Sequence, residues 1–288
     1  MSAVTVWDGK PVTEPGLYDM PAAAYFGDAL PSGLSQSSAK VLLEDGGPAK
    51  FKAARELPRV EKSAWDLGTT AHALILGKGI ERVEIHDFPN WMTKAAKEAK
   101  ASTYAEGKTP MLTKDYELAE AMADAIPASF AALFTGGQAE VSMLWQHESG
   151  IWLHGQMDYY GPMIVDLKTM SDASKYGFEK SVHQFKYYMQ AAWYRRGVEA
   201  LTGERLPYLI AGVETKAPHL TRVMEVSEDY LAVGEAAMDR AIATYLNCTE
   251  SGEWPGYTTE IESLDPPHWL AVDDASETIT ALETLIGN

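Results

Sequence analysis

The 288-residue chain has one cysteine, Cys248. That excludes a disulfide framework and, within one chain, a four-cysteine zinc or iron–sulfur site. It also lacks any apolar run near the roughly 18 residues that a membrane-spanning helix needs, and no basic segment followed by an apolar one stands at its start. The expectation is a cytoplasmic protein with no membrane partner. Positive charge is scarce: 24 Lys and Arg stand against 41 Asp and Glu, a formal net charge of −17. Nucleic-acid affinity usually begins with a basic surface, so this balance argues against a protein that coats DNA non-specifically. Net charge is not local charge, however. Lys94, Lys97, Lys100, Lys108 and Lys114 lie close in sequence, and Lys175, Lys180, Lys186, Arg195 and Arg196 form a second group. Each lysine reads either as part of a solvated helix face or as the wall of a basic groove inside an acidic exterior.

Repeats and low-complexity tracts are also missing. With 46% hydrophobic and 23% charged residues, the chain reads as one globular protein with a mixed α/β core. The expected organisation is a single domain, divided into an N-terminal helical arm (1–60) that begins irregularly over residues 1–33, a core (61–258) and an acidic tail (259–288). Ser35 is a plausible cap for a helix from Leu34 to Leu43 that ends at Gly46-Gly47-Pro48. Ser63 to Gly77 reads as a buried helix with His72 in its middle, either a hydrogen-bonded core histidine or a ligand. Two more helices are expected over 93–133, separated near Gly107-Lys-Thr-Pro110. Three antiparallel strands follow at Glu140–Trp145, Ile151–Tyr160 and Met163–Met170.

Beyond these, the spacing of Phe178, Val182, Phe185, Met189 and Ala192 predicts one long amphipathic helix over 178–196. A polar-aromatic ridge, His183, Tyr187, Gln190 and Tyr194, runs beside that stripe. It reads either as tyrosines with core rings and wet hydroxyls or as groups that position a nucleotide or water. Strands at Tyr208–Thr215 and His219–Val226, joined by a turn at Lys216-Ala-Pro218, precede a helix from Glu228 to Leu246.

The hairpin Asp158–Thr169 carries the most chemistry. Side chains in a strand alternate faces, so Asp158 should share a face with Gln156 and His154, and Ile164 with Asp166 and Lys168. Met163, Val165 and Leu167 then point to the core. A turn at Gly161-Pro162-Met163 sets Asp158 opposite Asp166 and Gln156 opposite Lys168. Opposed residues have Cβ atoms roughly 4.5 to 5.5 Å apart, and like charges there destabilise a sheet. Either the hairpin is a solvated edge, or the two aspartates share a hard divalent cation such as Mg²⁺ or Mn²⁺.

The order of short motifs carries a resemblance. Gly68-Thr-Thr-Ala-His72, Gly137-Gln-Ala-Glu140, Gly155-Gln-Met-Asp158, Val165-Asp166-Leu-Lys168-Thr169 and Gln190-Ala-Ala-Trp-Tyr194 together resemble the PD-(D/E)XK nuclease superfamily, and within it the RecE or exonuclease VIII type of phages and prophages. The likeness runs from Leu17 and Tyr25 through Trp254-Pro-Gly-Tyr257 to Pro266-Pro-His-Trp269. It implies a restriction-endonuclease-like core, a mixed sheet flanked by helices. As metal ligands for one or two Mg²⁺ ions, with Mn²⁺ an alternative, it implies His72, Asp158, Asp166 and Leu167. Lys168 would be the catalytic lysine, with Gln190 and Tyr194 as supporting site residues; Glu140 either touches the metal or stands behind its ligands. Relatives often carry Arg or Lys where this chain has Gln156.

The activity implied is 5′ to 3′ degradation of one strand of linear double-stranded DNA for recombination. The partners implied are a single-strand annealing protein of RecT type and further copies of the chain in a ring of three or four. The other readings are an endonuclease or single-strand nuclease of the same fold, a non-catalytic DNA-binding accessory protein, and an acidic metal-binding or DNA-mimic protein.

Overall fold

The computed structural model describes residues 3–57 and 66–267. The expected helix start at Ser63 to Trp65, the His268-Trp269 pair and the acidic tail beyond it lie outside the described residues. Met1–Pro255 form one compact unit and Gly256–Asn288 a second, in which residues 256–267 carry no helix or strand.

In chain order the elements are β1 (Thr5–Val6), β2 (Gly16–Asp19), α1 (Ala22–Tyr25), β3 (Gly33–Ser35), α2 (Gln36–Leu42), α3 (Gly47–Glu56), α4 (Asp66–Leu76), β4 (Val83–His86), α5 (Lys94–Ala105), β5 (Thr109–Leu112) and α6 (Thr113–Asp124). They continue as α7 (Ala128–Ala131), β6 (Gln138–Gln146), β7 (Trp152–Tyr160), β8 (Ile164–Met170), α8 (Lys175–Gln184), α9 (Tyr187–Thr202), β9 (Tyr208–Glu214), β10 (Thr221–Glu225) and α10 (Glu228–Ser251). Local chemistry explains several boundaries. Ser35 caps α2 by accepting from Ser38 N–H in a capping box, and Ser174 and Thr93 accept from Gly177 and Ala96 at the starts of α8 and α5. Gly203 and Gly252 end α9 and α10 in the left-handed conformation that a side chain disfavours.

The main sheet runs β1-β2-β6-β7-β8-β9-β10, with β3 also paired to β7. It is mixed: β8 and β9 are parallel, whereas β6, β7 and β8 form an antiparallel meander. A mixed α/β architecture with helices on both faces is what the sequence implied. Alternation along β8 sorts the core into two layers. Ile164 and Met170 join one buried cluster with residues of α2, α3, α8, α9 and α10, while Val165 and Leu167 join another with residues of α4, α6 and α7. Trp193 of α9 lies fully buried in the first cluster and donates its indole N–H to the His154 carbonyl at 3.0 Å, pinning α9 to β7. Truncating a buried tryptophan of this kind typically costs about 3–5 kcal/mol.

Four expectations are corrected. Residues 1–33 are not irregular: β2 extends the sheet along the outer edge of β6, and Gly33 begins β3, which pairs with β7. The reason is that β6 and β7 each have an edge whose N–H and C=O groups need partners, and Gly16–Asp19 and Gly33–Ser35 supply them. Second, the break near Gly107 contains β5, which pairs in parallel with β4 as a separate two-stranded sheet. The last two strand residues, Met111 and Leu112, are buried, so packing decides where turn residues suggested a loop. Third, the helix expected over 178–196 is two helices, because Lys186 sits at φ 53 and ψ 45. His183 is thereby separated from the ridge, and Phe185 is 48% exposed instead of core. Fourth, β7 does not alternate regularly: Leu153 and Met157 pack in the cluster with α9, but Tyr159 packs in the opposite one. Ala139 and Val141 on β6 divide in the same way.

Candidate active site

The irregularity in β7 builds the site. Glu140 has φ 55, and between Gln138 and Gln146 the Glu140/Asp158 position alone lacks ladder partners among the β6–β7 pairs. The pleat therefore inverts at Asp158, whose side chain no longer follows those of Gln156 and His154. On its other edge β7 pairs with β3 at Trp152–His154 and with β8 only at Tyr159 and Tyr160. Tyr159 lies opposite Val165 and Tyr160 opposite Ile164, the register the hairpin turn demands, and then the strands part. Gln156 is consequently not opposite Lys168. Gly155 to Asp158 border a fork in the sheet.

Asp158 closes the apex of that fork. Its Oδ2 accepts the Leu167 N–H at 2.7 Å, replacing a ladder bond. The N–H and C=O of an extended residue point the same way, so the Leu167 carbonyl also faces the gap. The Leu167 side chain is buried in the opposite core layer. His72, on α4, brings Nδ1 to 3.7 Å from Asp158 Oδ2, too long for a hydrogen bond. Gly68, one turn earlier, lets α4 approach β8: a Cβ there would stand 3.2 Å from Thr169 Oγ1.

Asp166 lies deeper, 1% exposed. Its Oδ1 accepts from Gln190 Nε2 at 2.7 Å, and Lys168 Nζ stands 2.5 Å from Oδ2. Apart from that ion pair, Oδ2 accepts no hydrogen bond of good geometry. The Lys168 ammonium also sits 5.0 Å above the Tyr187 ring. Tyr194 is buried, and Gly155 makes room for it: a Cβ at Gly155 would lie 2.7 Å from the Tyr194 ring. Thus Gly155 serves packing, which explains a glycine in the middle of a strand.

Burial dominates the electrostatics. It raises both aspartates, Asp166 to about 6, against the pull of Lys168 and with repulsion from Asp158 adding to the rise. Burial works against the charge of Lys168, but Asp166 and Asp158 outweigh it and hold the ammonium above the usual lysine range. His72 is pushed down to about 4 by burial and by Lys168, so its imidazole is neutral near pH 7, the form that binds metals. Glu140 is raised to about 7 by burial and by Asp158.

Among the described residues no three His, Cys, Asp or Glu side chains form a finished metal cage. The donors that do come together are hard carboxylate oxygens, one neutral imidazole and a main-chain carbonyl. That donor chemistry fits a divalent cation of the Mg²⁺ or Mn²⁺ kind. His72, Asp158, Asp166 and Leu167 are the residues that would hold it.

The fork therefore gathers His72, Asp158, Asp166, Leu167, Lys168, Gln190 and Tyr194, every site residue the sequence singled out. Two neighbours carried no sequence signal. Tyr208, at the start of β9, is buried with its hydroxyl raised well above its ordinary range by burial and by the charge of Asp166. Lys40, on α2, lies within the field of Lys168 although it is distant in sequence. Of the ten cations in the two basic clusters, six pair with carboxylates of described residues, Lys175 with Glu179 among them. Lys94 pairs with Glu98, Lys100 with Asp66, Lys108 with Glu84 and Glu106, Arg195 with Glu228, and Arg196 with Asp239.

The model of a family described as a PDDEXK-like domain of unknown function (DUF3799) matches residues 35–267. The chain belongs to this family. That description places the chain in the PD-(D/E)XK nuclease superfamily. Among solved structures the fold is similar to a protein from Eubacterium rectale described as a "Putative exonuclease", with a TM-score of 0.59 and 20% identity over 82% of this chain and 90% of that one. No curated protein matches the sequence. No helix among the described residues is long and apolar enough to cross a membrane.

Proposed function

We propose that this nuclease-type domain is a metal-dependent exodeoxyribonuclease that degrades one strand of linear double-stranded DNA, 5′ to 3′, and so exposes single strands for recombination. The observation that carries the reading is the convergence of Asp158, Asp166 and Lys168 in the fork between β7 and β8, braced by Gln190. In hydrolysis a water oxygen bonds to phosphorus as the P–O3′ bond breaks, leaving a 5′-phosphate and a 3′-hydroxyl. A bound Mg²⁺ or Mn²⁺ would supply Lewis-acid stabilisation of the phosphoryl oxygens and a more acidic water. Lys168, held protonated by the aspartates, can orient that water or stabilise charge developing on the phosphoryl oxygens. Gln190 fixes the rotamer of Asp166, and neutral His72 offers a lone pair instead of a competing charge.

The same reading carries three further elements: a ring of three or four copies, a single-strand annealing protein of RecT type as partner, and action in the cytoplasm of the bacterial host. A ring would let a chain of net charge −17 gather its cations in a bore while acids face outward. Light scattering on the purified protein reads the copy number.

The deciding experiment incubates end-labelled linear and closed circular duplexes with the protein, in Mg²⁺ or in EDTA, beside Asp166→Ala. Metal-dependent loss of the linear DNA alone, abolished by the substitution, is expected. Cutting of the circle points to an endonuclease, and inactivity in every condition to a binding protein.

A further inference from the structure

The elbow between α8 and α9 puts cations and rings at the edge of the fork that the nuclease reading leaves unused. Lys186 occupies the left-handed region, rare for a residue with a side chain, and such strain survives only where the surroundings impose it. The elbow stacks Phe185 on Tyr187, with ring centroids 5.6 Å apart and planes at 27°. Tyr187 lies beneath the Lys168 ammonium, while Phe185 remains half exposed. From α2, Lys40 donates to the Phe185 carbonyl at 3.0 Å. Burial, then repulsion from Lys168 and Lys186, holds Lys40 below the usual lysine range, with Asp166 and Glu44 the opposing charges. Neither Lys40 nor Lys186 forms an ion pair with a described residue. A Lys40 ammonium within the field of Lys168 and Lys186, beside a stacked pair whose Phe185 is half exposed, suits a ligand that brings both negative charge and flat rings. A single nucleic-acid strand brings both.

We propose that Lys40 and Lys186 bind the backbone phosphate next to the one cleaved, and that Phe185 stacks on the base it carries, so that the elbow is a subsite for an unpaired nucleotide at a DNA end. The placement relative to the cleaved bond rests on the nuclease reading; the binding of an unpaired strand does not.

The test measures fluorescence anisotropy of a labelled oligothymidylate and of a blunt duplex, in EDTA, over a range of salt. Lys186→Gly suits the left-handed backbone and so keeps the fold. Combined with Lys40→Gln, it should weaken binding of the single strand about tenfold and lower the salt slope by about 1 to 2. Phe185→Ala should weaken binding of the single strand about tenfold with the slope unchanged. Losses should be larger for the single strand than for the blunt duplex. Folded variants that bind the single strand like the parent overturn the proposal, and so do equal losses on both DNAs. A parent that cuts no DNA in Mg²⁺ or Mn²⁺ while these losses appear overturns the nuclease reading alone. A parent that cuts while the variants bind unchanged overturns the subsite alone.

Discussion

Gln190 Nε2 donates to Asp166 Oδ1 at 2.7 Å, and this bond ties α9 to β8 across the floor of the fork. A buried carboxylate with an up-shifted pKa has few ways to remain both ionised and fixed. Lys168 supplies the charge on one oxygen, and Gln190 supplies direction on the other.

Gln190→Ala should therefore cost activity and stability together. It leaves Asp166 Oδ1 buried without a donor, a loss of about 1–3 kcal/mol. Turnover on linear duplex should fall on the order of tenfold or more, and the denaturant midpoint should drop. An unchanged rate in a protein of unchanged stability would show that the bond positions nothing.

Gly155→Ala tests the packing beneath the site. The added methyl meets the Tyr194 ring at 2.7 Å and Met143 Cε at 2.9 Å, so α9 must shift or both side chains must leave their rotamers. Overpacking of this kind costs about 1–3 kcal/mol. Melting should fall, and because Gln190 rides on the same helix, activity should fall more than melting alone explains. Wild-type turnover in a destabilised Gly155→Ala protein would separate Tyr194 from the chemistry.

Acid should weaken the fold partly through His154. Its Nδ1 lies 3.1 Å from the Tyr25 hydroxyl, and burial, with repulsion from Arg55, lowers its pKa to about 4. A histidine depressed in the folded state binds fewer protons there than in the unfolded chain. Stability from this residue is complete above about pH 6.5 and is lost as pH falls toward 4. His72 contributes in the same direction and the raised Asp166 in the opposite one, so the single variant isolates the effect. Relative to His154→Gln, the parent should lose about 1–2 kcal/mol between neutral pH and about pH 4.5 in denaturant titrations. Parallel profiles would contradict it.

Ser35→Ala removes the side-chain acceptor of the α2 capping box, leaving the backbone N–H of residue 35 donating to Ser38 Oγ, and should cost about 1 kcal/mol. Because α2 also carries Lys40, binding of the single strand should weaken along with melting. A loss of melting temperature with unaltered binding would show that α2 holds Lys40 in place without its cap.

How much of this site was legible follows from the range of each signal. The register of Tyr159 with Val165 was readable because a short Gly-Pro turn fixes pairing on either side of it. Period-two alternation sorted Val165 and Leu167 from Asp166 and Lys168 in the same way. Gln190 and Tyr194 were readable as helical neighbours four apart, and the order of the five short motifs carried the family. The break at Lys186 was not, since the apolar stripe runs through it and only a tertiary demand for the elbow pays the strain.

The sequence by itself determined which residues are suited to carry the proposed chemistry, because charge, alternation and spacing are local properties of a strand or a helix. Tertiary structure alone decided that β7 and β8 part at Asp158, that Tyr208 and Lys40 border the site, and that Lys100, Lys108, Arg195 and Arg196 of the basic clusters are paired off with distant carboxylates. Those outcomes depend on which distant backbone fills each sheet edge and which distant carboxylate reaches each ammonium, and no local pattern encodes either.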